Sequence, residues 1–168
     1  AADAVLVFDR KTQKEKTRFG GHRGALGAVL GPDARWLACT TWHGSGVKVF
    51  DTQNGKLALS VPDTENSLAA FSPDGKWLVI GTGPEYRLWS VGSWAPGLRF
   101  ARQGTEDVTG PIAFAPDGRI MAIVPSWRLV RLVDVERGVE LATLEGPDVE
   151  EMIAVLSFSP DGACLIAA

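Results

Sequence analysis

The side chains able to do chemistry are few and poorly grouped. His43-Gly44-Ser45-Gly46 sets an imidazole two residues from a hydroxyl. That pairing could activate a serine nucleophile, but the Gly-x-Ser-x-Gly frame fails because His43 holds its first glycine position, and no strand-to-helix elbow follows. The segment reads instead as a loop whose glycines supply turn conformations. Gly81-Thr82-Gly83 lacks the following helix that a phosphate cradle needs. His22 and His43 are the only histidines, and neither has cysteine or carboxylate neighbours at zinc-ligand spacing. The sequence therefore predicts no catalytic residue, no metal site and no cofactor.

What positions these loops is a repeat. The run Phe71-Ser72-Pro73-Asp74-Gly75-Lys76-Trp77-Leu78 has relatives at 30–37, 114–121 and 158–165, with prolines at Pro32, Pro73, Pro116 and Pro160. Spacings of 41, 43 and 44 residues between those prolines match the period of propeller blades, small sheets that cannot bury their own faces alone. Pro presets φ for a tight turn, Asp can accept a hydrogen bond from backbone two residues on, and Gly accepts positive φ. Pro-Asp-Gly is thus a hairpin corner. Ala34 stands where the other copies have Gly, so the first corner is expected to be the least comfortable.

Short apolar runs flank each corner, and Asn54-Gly55 is a further hairpin signal. Four-stranded units are expected at about 26–61, 68–101 and 111–144, with half units at 4–19 and 154–168. No segment has a useful helical period. The expected fold is all-β: a β-propeller fragment of four-stranded antiparallel blades, three complete and two half, in one segment spanning 1–168. Its ends fall within strands, so it is expected to be an open arc cut from a larger propeller.

Composition limits the partners. A formal charge of -3 and a pI near 5.4 argue against a phosphate-bound nucleic acid, which needs clustered Lys and Arg. Lys11, Lys14, Lys16 and Arg18 read as one solvated outer strand. No run approaches the ~20 apolar residues of a membrane-spanning helix. Cys39 and Cys164 lie in apolar strands of different repeats and are expected to be reduced and buried, which fits a cytoplasmic chain.

The third strands carry a resemblance. Val47-Lys48-Val49-Phe50-Asp51, Tyr86-Arg87-Leu88-Trp89-Ser90 and Val130-Arg131-Leu132-Val133-Asp134 resemble the strand ending in Trp-Asp of the WD-repeat propellers, and Gly21-His22 resembles that family's Gly-His dipeptide. The likeness covers essentially the whole chain and is strongest to divergent bacterial arrays. The Trp position is kept only as Trp89, Gly-His occurs once, and the family's loop Asp before the third strand is absent. The polar network those residues form in the family is therefore expected to be incomplete, leaving the blades to apolar packing. The propellers of Tol-system proteins and of prolyl-oligopeptidases, which also repeat Ser-Pro-Asp-Gly, are the alternative.

The resemblance implies a non-catalytic protein-interaction scaffold; the alternative is an accessory or gating propeller of a multidomain enzyme of kinase or prolyl-oligopeptidase type. Trp36 and Trp77 share one place in successive second strands and are expected between blades. Trp42 and Trp127 fall in loops joining second to third strands, where an indole can anchor a partner. Those loops and the ones joining units emerge on one face, with Asp63, Glu65, Glu85, Glu106, Asp107, Glu145, Asp148, Glu150 and Glu151 against Arg23, Arg102 and Arg128. That face is expected to be acidic and to bind a basic protein partner through Trp42, His43, Glu85, Glu106, Asp107, Trp127, Arg128, Glu150 and Glu151. The missing remainder of the same propeller is a second expected partner.

Overall fold

Each Pro-Asp corner folds by the same local chemistry. In the computed structural model, which describes residues 4–20, 24–44, 46–64, 66–103, 109–146 and 152–168, the Asp side chain accepts the backbone N–H two residues on. The distances are 2.9 Å for Asp33 and Arg35, 3.1 Å for Asp74 and Lys76, 2.9 Å for Asp117 and Arg119, and 3.0 Å for Asp161 and Ala163. Gly75, Gly118 and Gly162 sit at φ 72°, and Ala34 is forced to φ 56°. Where Ser precedes the proline it braces the corner. The Ser72 hydroxyl donates to Asp74 at 2.6 Å and accepts the Trp77 N–H at 2.9 Å, and Ser159 does the same for Asp161 and Cys164.

These corners and the intervening turns join strands only. In chain order they are β1 (Ala4–Phe8), β2 (Glu15–Gly20), β3 (Ala25–Leu30), β4 (Trp36–Thr41), β5 (Val47–Asp51), β6 (Leu57–Val61), β7 (Leu68–Phe71) and β8 (Trp77–Gly81). They continue as β9 (Glu85–Ser90), β10 (Pro96–Ala101), β11 (Ile112–Phe114), β12 (Ile120–Ser126), β13 (Leu129–Asp134), β14 (Val139–Glu145), β15 (Leu156–Phe158) and β16 (Leu165–Ala167). No described residue is helical, so none lies in a helix long and apolar enough to cross a membrane.

The strands form three four-stranded antiparallel meanders, β3 to β6, β7 to β10 and β11 to β14, flanked by the two-stranded pairs β1 with β2 and β15 with β16. β1 is not hydrogen-bonded to β16, so the array is open. Register repeats from blade to blade: Leu37 faces Phe50, Leu78 faces Trp89, and Met121 faces Val133.

The core lies between consecutive sheets. Val47 and Val49 of β5 pack with Leu78 and Ile80 of β8, and Tyr86 and Leu88 of β9 pack with Met121 and Ile123 of β12. All eight are buried, and those other than Tyr86 each contribute roughly 1.5–3 kcal/mol of transfer free energy. Trp36 joins the first of these layers, its ring edge-on to Trp94 of the next sheet at 5.0 Å. Trp77 packs against the second layer. Both second-strand indoles thus serve packing between blades. Cys39 is buried, but Cys164 is exposed, contrary to expectation, since it lies just before β16 and no described strand flanks β16 on its far side.

Candidate interaction face

The loops after second and fourth strands are pinned to one another by backbone. The Ser67 N–H donates to the Thr41 carbonyl at 3.2 Å, that of Gln103 to Pro125 at 2.8 Å, and that of Ile153 to Trp127 at 3.1 Å. This knits the loop ends of successive blades into one surface. Trp42 and Trp127 stand out from it, each 46% exposed, as their loop positions predict. His43 is held at φ 50°, its N–H donating to Asn66 Oδ1 at 3.1 Å and its ring 5.2 Å from that of Trp42.

The loop that holds Asn66 also walls a cleft. A cavity of about 540 Å³ opens between Asp63 and Thr64 on one side and Thr82, Gly83, Pro84 and Glu85 on the other, with Arg99 at its rim. It deepens into a recess of about 210 Å³ reaching Ile80, Arg87 and Trp89. Glu85 is engaged by Arg99 at 3.0 Å, whereas Asp63, at φ 56°, has no ion-pair partner among the described residues. The Arg87 guanidinium lies 4.7 Å from the Trp89 ring centre, and among the described residues neither Arg87 Nε nor Trp89 Nε1, both buried, has a hydrogen-bond partner. A recess of the same size recurs one blade on, lined by Gln103, Pro125 and Arg131 among others.

Of the predicted site residues, the structure links Trp42 and His43 to the loop that forms one wall of the cleft, and Glu85 to the other wall. Trp127 and Arg128 lie on the same face two blades after Trp42. Glu106, Asp107, Glu150 and Glu151, with Arg23, Glu65 and Asp148, lie outside the described residues. Sequence reading missed Arg87, Trp89 and Arg99 as cleft residues. Their strand positions were legible, but which neighbour's loop stops short of covering them was not. Among the described residues, no group of three His, Cys, Asp or Glu is placed to hold a metal ion.

Arg102 is a correction. Taken from sequence as a face charge, it is only 7% exposed. Its guanidinium donates to the carbonyls of Thr82, Gly83, Val124 and Thr109 and lies 5.3 Å from the Tyr86 ring centre. Burial pushes the Arg102 pKa down, opposed by Tyr86. Tyr86 is itself fully buried, and the same desolvation pushes its phenol up to about 12. Gly81 and Gly110 flank its ring so closely that a methyl group on Gly110 would lie 2.7 Å from it. This cluster is a clasp between blades, not a binding surface.

No protein-family profile matches the chain. Among solved structures, it resembles a chain described as Kuenenia stuttgartiensis Hydrazine Synthase, with a TM-score of 0.70 at 19% identity over 89% of this chain. The match spans 43% of that longer chain. A likeness at this identity is one of fold, and together with the repeated meanders it makes this chain an all-β, β-propeller-like array of four-stranded antiparallel blades.

Proposed function

We propose that the array is a non-catalytic protein-binding platform whose loop face takes a segment of a protein partner carrying basic side chains. The observation that carries this reading is the cleft between the second and third sheets. It offers one carboxylate, Asp63, without an ion-pair partner among the described residues, beside a recess lined by Ile80, Arg87 and Trp89. An extended polypeptide carrying a Lys or Arg supplies the complement to Asp63. The exposed indole of Trp42, tied to the same loop through His43 and Asn66, adds an aromatic anchor beside the cleft.

The acidic loop residues expected on this face would steer such a partner, giving association that slows as salt rises. The test is binding of an array of Lys- and Arg-rich peptides, followed by surface plasmon resonance at two salt concentrations. Asp63→Lys is expected to abolish capture, Trp42→Ala to raise Kd at least tenfold, and joint reversal of Glu106, Asp107, Glu150 and Glu151 to slow association. Peptides bound equally well by all three variants would remove this face from consideration.

A further inference from the structure

Arg87 and Arg131 hold the same place in consecutive sheets, Arg87 facing Ile80 of β8 and Arg131 facing Ile123 of β12. Their counter-charges differ. Arg131 is ion-paired with Glu140 of β14 at 2.8 Å, and Glu140 lies opposite Val133. In the preceding sheet Trp89 holds the place of Val133, since Leu78 faces Trp89 as Met121 faces Val133, and the residue opposite Trp89 is Pro96. A proline thus stands where the acid stands one blade on. Directly across from Arg87 is Arg99, a like charge, which already holds Glu85 at 3.0 Å. Among the described residues Arg87 has no ion-pair partner.

Arg87 lines the same recess as Asp63, and no ion pair joins the two. The recess therefore has one wall of each sign. Stacking on an aromatic ring uses the face of a guanidinium, as Arg87 does on Trp89 at 4.7 Å, whereas a carboxylate binds its N–H edge. Asp63 lines the outer cavity as well as the recess, but Arg87 lines only the recess. A ligand carrying both charges enters with its anion first. Sites for drug-sized ligands run from about 300 to 1,000 Å³, so a recess of about 210 Å³ admits one residue of a polypeptide and not a run of several.

We propose that the recess takes the carboxy-terminal residue of a protein partner, a Lys or Arg whose α-carboxylate binds Arg87 and whose side chain binds Asp63. This rests on the reading of the cleft as a site for a basic segment, and adds which part of that segment enters and in which direction it runs. A chain end delivers both charges from the single residue that the recess admits. An internal Lys or Arg brings only the cation and leaves Arg87 without a counter-charge in a half-buried setting, where removal from water is costly for an unpaired ion. The preceding residues then run outward past Asp63 through the wider cavity of about 540 Å³. One blade on, Glu140 occupies Arg131, so the second recess offers no equivalent carboxylate site.

The experiment is fluorescence anisotropy with three short peptides labelled at the amino terminus: one ending in Lys with a free carboxylate, the same peptide as its carboxy-terminal amide, and an amide in which Glu precedes the Lys. The wild-type chain is expected to bind the free acid at least about tenfold more tightly than either amide. In Arg87→Gln that preference is expected to vanish while the amides bind as before; Arg131→Gln is expected to keep it. Asp63→Lys is expected to lose all three peptides. The comparison of acid with amide is made on the wild type, so it stands whether or not a variant folds. Acid and amide bound equally by the wild type, a Glu-Lys amide bound as tightly as the acid, or a preference that survives Arg87→Gln would each overturn the chain-end proposal and leave a basic segment as the partner. Peptides bound equally by wild type and Asp63→Lys, or not bound at all, would overturn the reading of the cleft and this proposal with it.

Discussion

The Tyr86 hydroxyl accepts the Val124 N–H at 2.9 Å and lies 3.1 Å from the Val124 carbonyl oxygen. Val124 falls where the β12 and β13 ladder shifts register, between Ile123 and Ser126, so its backbone is served by a side chain from the preceding blade. Arg102 Nε donates to the same carbonyl at 3.1 Å. The irregularity in one sheet is thereby made into the attachment point of the next.

Removing that hydroxyl tests the clasp. Tyr86→Phe keeps the ring between Gly81 and Gly110 but leaves the Val124 N–H without its acceptor, in a fully buried setting. The expected loss is about 1–3 kcal/mol of unfolding free energy, read from urea denaturation with an unchanged m-value. A loss below a few tenths would mean that the contact is incidental.

The corner at Ala34 carries strain that a glycine relieves. An L-residue in the left-handed region costs roughly 1–2 kcal/mol, and glycine returns part of that as unfolded-state entropy. Ala34→Gly is therefore expected to stabilise the chain by about 0.5–1 kcal/mol, with a higher Tm. Glycine introduced at an exposed, extended strand position would instead destabilise, which makes Ser60→Gly in β6, in register with Lys48, a useful control.

Asp74 gives the corner of the third sheet a pH dependence. Burial acts to raise its pKa, but the Ser72 hydroxyl, the Lys76 N–H and the Lys76 ammonium together hold it below the ordinary 3.8. A depressed carboxylate stabilises the fold above the unfolded-state value, and the contribution is lost as pH falls through the folded value. The stability difference between wild type and Asp74→Asn is thus expected to be constant above about pH 5 and to shrink below pH 3.8. Thermal unfolding measured at half-unit steps reads it; a difference that persists into strong acid would show that the charge is not what braces this corner.

The two thiols should differ in reactivity. Burial, only partly offset by the charge of Lys48, pushes Cys39 up to about 11, while Cys164 is exposed. A disulfide reagent at pH 8 and low protein concentration is expected to label one thiol per chain rapidly, and the second only at the rate of unfolding. Two fast thiols would contradict the packing of β2 on β4.

The repeat alone determined that this chain is all-β, where its corners lie and that Ala34 is the awkward one, because a hairpin corner is decided by about ten contiguous residues. Loop position likewise made Trp42 and Trp127 legible as exposed indoles. Only the tertiary structure decided that Arg102 is buried in a clasp while Cys164 is exposed, and that Asp63, Arg87 and Trp89 line one cleft. Those outcomes depend on partners in another strand or another blade: Tyr86 and Val124 are 38 residues apart, and Arg102 and Val124 are 22. An arginine just past a strand end has the same local pattern whether it meets water or four carbonyls. What distinguishes the two is the irregularity in β12, which leaves backbone acceptors exposed to a neighbour that no single repeat contains.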